Sequence, residues 1–180
     1  MDLQFGDIQE TALVTLAIRA SETARPNPRI VDVKAAEIID ALGVDVSKYD
    51  PFLSHEGVVA RTIMFADALR GLITRYPDAL CVNLGCGFDD KFSQVDNGQI
   101  EWFDVDLPDQ IAVRRKVYED RPRCTMMEGD ALDGAGRRHW HDVPLRGQRR
   151  HLWRASYNAT LRGALRGIQS QPGASFLANG

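Results

Sequence analysis

The apolar run Ala79-Leu80-Cys81-Val82-Asn83-Leu84 stops abruptly at Gly85-Cys86-Gly87. It is too short for a typical helix and ends in turn residues, so it predicts a buried strand. Asn97-Gly98 marks a turn, and Ile100 to Val105 reads as a second strand that closes on acids at Asp104 and Asp106. Pro108 suits the first turn of a helix, which the apolar spacing carries through Ile111, Val113 and Val117. Arg123 to Met127 is a third strand, ending at Glu128-Gly129-Asp130. Strand, helix and strand in succession predict parallel βαβ units and an α/β fold.

Helices precede this region. Ala12, Leu13, Leu16, Ala17 and Ala20 recur at helical spacing between Ile8 and Glu22, until Pro26 and Pro28 break the pattern. Asp32 is placed to cap a second helix with Ala35, Ile38, Ile39 and Leu42 on one face and Gly43 ending it. Residues 44–54 read as loop. A third helix is expected from Glu56 to Arg75, burying Val59, Ile63, Leu69, Leu72 and Ile73. The division predicted is a helical region over 1–76, an α/β half over 77–133 and an atypical tail over 134–180.

The chain's 180 residues suit one domain with a core large enough to fold unaided. No run approaches the length of a membrane span, and the N-terminus has neither the basic nor the apolar stretch of a secretory signal. Cys81, Cys86 and Cys124 are an odd number without paired spacing, which predicts a reducing cytoplasm and neither a disulfide framework nor a metal site. The net charge of −3 conceals a division. Residues 1–133 hold 14 basic and 24 acidic side chains, whereas residues 134–180 hold 8 arginines, no lysine and a single acid. The tail's arginines, with Trp140, Trp153 and Tyr157, could suit nucleic acid, but the body is acidic and carries no RNA-binding motif, so a nucleic-acid partner is not expected. His139, His141 and His151 have only Asp142 near metal-ligand spacing.

The turn after the first strand carries the chemistry. Gly-x-Gly allows a tight turn and close approach of a ligand to the backbone, at the end of a parallel strand where ligands usually sit. A dinucleotide fingerprint would place a third glycine at 90, where the chain has Asp90. A pyrophosphate beside Asp89 and Asp90 would be repelled. A cationic ligand without phosphate fits better, and S-adenosyl-L-methionine (SAM) is one. Asp106 stands 21 residues after Gly85, close to the spacing at which an acid binds a ribose diol. Asp104 is its rival, because alternation along the strand puts both on one side. Asp130, ending the third strand, could reach an adenine edge.

Residues 9–133 resemble the leucine carboxyl methyltransferase family. The matching stretches are Thr11-Ala12-Leu13, Arg19-Ala20-Ser21-Glu22-Thr23, Arg25-Pro26-Asn27-Pro28, Asp32-Val33-Lys34-Ala35, Val82 to Asp89 and Trp102-Phe103-Asp104-Val105-Asp106-Leu107-Pro108. The resemblance implies a Rossmann-like class I SAM-dependent methyltransferase fold with an N-terminal helical extension. It also implies a small-molecule methyl acceptor presenting a carboxylate or hydroxyl. It implies that Gly85 and Gly87 line the methionine part of SAM, that Asp106 holds the ribose and that Asp130 with Ala131 flanks the adenine. Arg61 would pair with the SAM carboxylate, while Arg19 falls in the N-terminal motif without an assigned role. No catalytic base is named. His55, the one histidine of the patterned region, reads as a surface or helix-start residue.

The resemblance stops at Asp133. The Glu-Gly motif after a fourth strand has no counterpart where Arg137-Arg138-His139-Trp140-His141 stands, although Pro172 to Ala178 again reads like the family. A shifted reading frame over residues 134 to about 171, with truncation, would produce that composition. The expectation is therefore an incomplete sheet, a weak helix over Leu152 to Ile168, and an uncovered strand edge that lowers solubility. The alternative to an active enzyme is an inactive remnant that at most binds SAM or a partner protein.

Overall fold

A computed structural model describes residues 7–49, 52–130, 151–155 and 175–177. Five helices and five strands lie within them: α1 (Asp7–Thr23), α2 (Val33–Leu42), α3 (Phe52–Arg75), β1 (Leu80–Leu84), α4 (Lys91–Val95), β2 (Glu101–Asp106), α5 (Pro108–Arg114), β3 (Cys124–Glu128), β4 (His151–Ala155) and β5 (Ser175–Leu177). Two compact units divide them. The first takes the residues up to Gly71 together with Phe88–Val95; the second takes Leu72–Gly87 and the residues from Asp96 onward.

The first unit is built on α1, α2 and most of α3. The Asp32 carboxylate accepts from the Ala35 N–H at 2.9 Å, and Gly43 closes α2 with φ 62°, the left-handed conformation that glycine takes without strain. Ile18 of α1 packs on Val58 and Val59 of α3. α3 begins at Phe52, earlier than the expected Glu56, and Val46–Tyr49 forms one 3-10 turn inside the segment expected as loop.

Buried charge runs through this unit alongside the apolar packing. Glu22 is fully buried and accepts from Arg29 through Nε at 2.9 Å, Nη2 at 3.1 Å and the backbone N–H at 2.9 Å. Arg25 lies 3.1 Å away, and His55 Nε2 is 2.7 Å from Glu22 Oε2. His55 is thus a core residue, 1% exposed, and not the surface histidine expected. Arg19 is buried as well, donating to Asp32 at 2.8 Å and to the Phe88 carbonyl at 2.9 Å.

The second unit is a parallel sheet in the order β3-β2-β1-β4-β5. All five residues of β1 are buried, and Leu80, Val82 and Leu84 pack with Val105 of β2. α5 ends at Arg114, before the expected Val117. The sheet does not stop at β3. β4 pairs with β1 in parallel, Leu80 opposite His151 and Leu84 opposite Ala155, and β5 pairs with β4. The weak helix expected from Leu152 therefore begins as strand; residues 156–168 lie outside the described residues. The second edge of buried β1 needs backbone partners, and that need outweighs the faint helical spacing of the tail.

The outer edge of β3 is closed. Trp102 N–H donates to the Arg123 carbonyl at 2.7 Å, and Gly129 N–H to the Asp106 carbonyl at 2.9 Å, so Cys124 and Met126 turn their backbone groups outward. Cys124 exchanges both of its hydrogen bonds with Arg121. Met126 N–H donates to Asp120 and its carbonyl accepts from Arg115, each at 3.3 Å. Over Cys124 and Met126, the edge expected to be uncovered is occupied by the chain's own groups.

Glu22 carries a testable consequence. The guanidinium of Arg29, helped by His55, holds its carboxyl well below the ordinary 4.5 against the opposing effect of burial. A carboxyl so depressed adds stability above about pH 4.5 that is lost as the pH falls toward the folded value. Glu22→Gln should lower the unfolding free energy by about 3 kcal/mol at neutral pH. It should also flatten the acid limb of stability against pH, read by helix circular dichroism in denaturant titrations.

Candidate functional site

The second unit reverses its strand order at β1. The chain leaves β1 for β2 and β3 on one side, then returns to pair β4 on the other. Ligands of doubly wound sheets bind outside the carboxyl ends of the strands at such a point. There β1 delivers Gly85 with φ 63° and Gly87 with φ 48°, a region that side chains with a Cβ seldom enter. Gly85 is exposed and Gly87 half-buried, so the backbone of the turn is open to a neighbouring group.

The turn is fastened to the end of β2. Cys86 N–H donates to the Val105 carbonyl at 3.1 Å, and Gly87 N–H donates to Asp106 Oδ2 at 2.7 Å. Asp106 Oδ1 accepts from Leu107 N–H at 2.9 Å. Burial raises the Asp106 carboxyl above its ordinary 3.8, and these two backbone donors partly offset the rise. A carboxylate offers about four lone-pair positions. With one backbone donor on each oxygen, half-buried Asp106 keeps acceptor capacity for a vicinal diol. The Gly129 N–H bond to the Asp106 carbonyl brings the end of β3 alongside, with exposed Asp130 next in the chain.

Asp104 and Asp106, equals in the sequence, are separated by their surroundings. Asp104 is 1% exposed. Its Oδ1 accepts from Asn83 Nδ2 and Trp102 Nε1, each at 2.9 Å, and its Oδ2 from Arg114 Nη2 at 2.8 Å. Asp104 is spent on contacts within the sheet, whereas Asp106 is half-buried at its end. Gly85, Gly87, Asp106 and Asp130 thus stand at adjacent strand ends. Arg61 belongs to the first unit, half-buried on α3, and Ala131 lies outside the described residues.

Sequence reasoning missed Arg114. It is fully buried and donates through Nη1 to the Gly87 carbonyl at 2.7 Å, with its guanidinium 4.2 Å from the centre of the Tyr118 ring. The available signal was an arginine three residues after Ile111, on the inward face of α5. Other groups recede. The Cys81 and Cys124 thiols are pushed up to about 12, chiefly by burial, and are not poised as nucleophiles. Asp90 accepts from the Ser93 hydroxyl at 2.8 Å, and Asp89 lies 3.8 Å from Lys91 Nζ, so both acids have local partners. A cleft of about 350 Å3 in the first unit, lined by Val31, Lys34, Asp90 and Gln94 among others, holds none of the site residues expected from the sequence. Among the described residues no cluster of metal-ligating side chains occurs, and no helix is long and apolar enough to cross a membrane.

A parallel α/β sheet with a glycine turn at its switch point and an acid ending the next strand places the chain in the Rossmann-like α/β class. Within that class, the chain belongs to the leucine carboxyl methyltransferase family, whose model matches residues 12–126. Membership implies SAM-dependent methyl transfer at the level of the family. The chain is 29% identical over 127 residues to the tetracenomycin polyketide synthesis O-methyltransferase TcmP of Streptomyces glaucescens. The match takes in 69% of this chain and 47% of that protein, so the chain spans about half the length of this curated relative.

Beside Arg114 on α5, Gln110 is 1% exposed and neither atom of its amide has a hydrogen-bond partner among the described residues. An unmet buried amide costs about 1–3 kcal/mol. Gln110→Met, close in volume, should raise the unfolding midpoint by the equivalent of about 1–2 kcal/mol. A lower midpoint in thermal denaturation would show that the amide is satisfied in solution.

Proposed function

We propose that this chain forms the cofactor-binding part of a SAM-dependent O-methyltransferase acting on a carboxylate or hydroxyl of a small molecule. The observation that carries the proposal is the bond from Gly87 N–H to Asp106, which joins the glycine turn to an acid with acceptor capacity to spare. In this scheme Asp106 takes the ribose hydroxyls, while Gly85 and Gly87 let the methionine part approach the backbone. Asp130 flanks the adenine. The relative's role in polyketide synthesis as an O-methyltransferase supports an oxygen acceptor.

SAM, when bound, supplies a methyl group on a sulfonium sulfur that an oxygen can attack in line. The chain's contribution is placement, the source of most of the rate where nucleophile and electrophile need only be held in register. A carboxylate acceptor is already ionised and asks for no base, whereas a hydroxyl acceptor does.

Calorimetric titration of the 180-residue chain with SAM should show saturable binding. Asp106→Ala should weaken that binding by about 100-fold, as expected for the loss of paired charge-assisted hydrogen bonds. Ribose binding uses the ionised carboxylate, and burial raises Asp106 above 3.8. Affinity should therefore be flat near neutral pH and fall on acidification, with a midpoint above 3.8. Absence of binding by folded chain would refute the proposal. Binding without transfer of labelled methyl to carboxylate or hydroxyl acceptors would mark the chain as a binder only.

A further inference from the structure

Gly87 is held on both sides by acids of one strand. Its N–H donates to Asp106 directly, and its carbonyl accepts from Arg114 Nη1, whose Nη2 lies 2.8 Å from the buried carboxylate of Asp104. We propose that Arg114 is a positioning residue for the cofactor turn. Its forked guanidinium ties the Gly87 carbonyl to Asp104 and so keeps the Gly87 N–H aimed at Asp106. The inference rests on the cofactor site proposed above.

An arginine buried without exposure needs a reason. A buried ion pair is often replaceable by apolar side chains of similar volume without loss of stability, so pairing with Asp104 alone does not account for it. What an apolar pair cannot supply is a donor for the Gly87 carbonyl. That carbonyl belongs to a turn in which both glycines have positive φ, where the backbone is permissive and its shape must be fixed from outside. The guanidinium is suited to the task because its donors lie in one rigid plane and reach two acceptors at once. Stacking on Tyr118 fixes that plane. Asp104 in turn is anchored to β1 through Asn83 and to its own strand through Trp102, so the turn takes its position from the sheet and not from the loop.

The test separates this role from that of an ordinary buried salt bridge. Arg114→Met with Asp104→Leu removes both charges together and leaves no unpaired buried ion. The expected result is a lower melting temperature, because Asn83 Nδ2 and Trp102 Nε1 lose their acceptor, with Gly87 amide exchange faster by at least about tenfold relative to the amides of β1 and β2, and SAM affinity weaker by about tenfold or more. Exchange is read by nuclear magnetic resonance on glycine-labelled chain, and affinity by titration. Unchanged Gly87 exchange in the folded double variant would overturn the proposal and leave Arg114 as a structural ion only. Failure of the parent to bind SAM would overturn the cofactor site, and Gly87 exchange would then decide the positioning role on its own. Should the double variant not fold, Arg114→Lys decides. Its single ammonium keeps a charge beside Asp104 without the fork, and the same gain in exchange is expected, with unchanged exchange refuting the role.

Discussion

The carboxylate of Asp104 is the point to which the sheet is tied. It receives Asn83 from β1, Trp102 from β2 and Arg114 from α5, and Cys124 Sγ of β3 lies 3.8 Å away. A lone carboxylate so deep in apolar surroundings would cost several kcal/mol. Three hydrogen bonds and an opposite charge offset that cost only if three strands and one helix meet in a single arrangement. The group therefore acts less as a source of net stability than as a selector of register. A slip of β2 by one residue would turn Asp104 to the other face and leave the guanidinium of Arg114 unpaired in the core.

How much of this could be read from the chain depends on whether the deciding force was local. The cap at Asp32, the stop at Gly43 and the proline opening α5 were legible, because each is a backbone requirement met within a few residues. So was the glycine turn. The choice between Asp104 and Asp106 was not, since period-2 alternation puts them on one side and only the partners contributed by Asn83 and Arg114 tell them apart. His55 misled for a similar reason. Its burial depends on Glu22, 33 residues away in the chain. β4 escaped because the open edge of β1, and not any pattern within residues 151–155, calls for a strand there.

The first unit shows the same economy of polar groups. Glu22 serves Arg29, Arg25 and His55 at once, and Arg29 also reaches Glu56 at 2.6 and 2.9 Å. Arg19 spans from Asp32, the cap of α2, to the carbonyl of Phe88. Arg19, Glu22, Arg25 and Asp32 of the N-terminal stretches that resemble the family are thus all engaged in ion pairs.

The closed edge of β3 gives the sheet a polarity of growth. Strand pairing resembles a polymerisation in which each edge is a reactive end. On β3 that end is quenched, because Arg121, Asp120 and Arg115 already occupy the outward N–H and C=O groups of Cys124 and Met126. Over Cys124 and Met126 the half of the sheet that bears the glycine turn and Asp106 is thereby guarded against pairing with a further strand, and the ends of β1, β2 and β3 are held by the chain's own bonds.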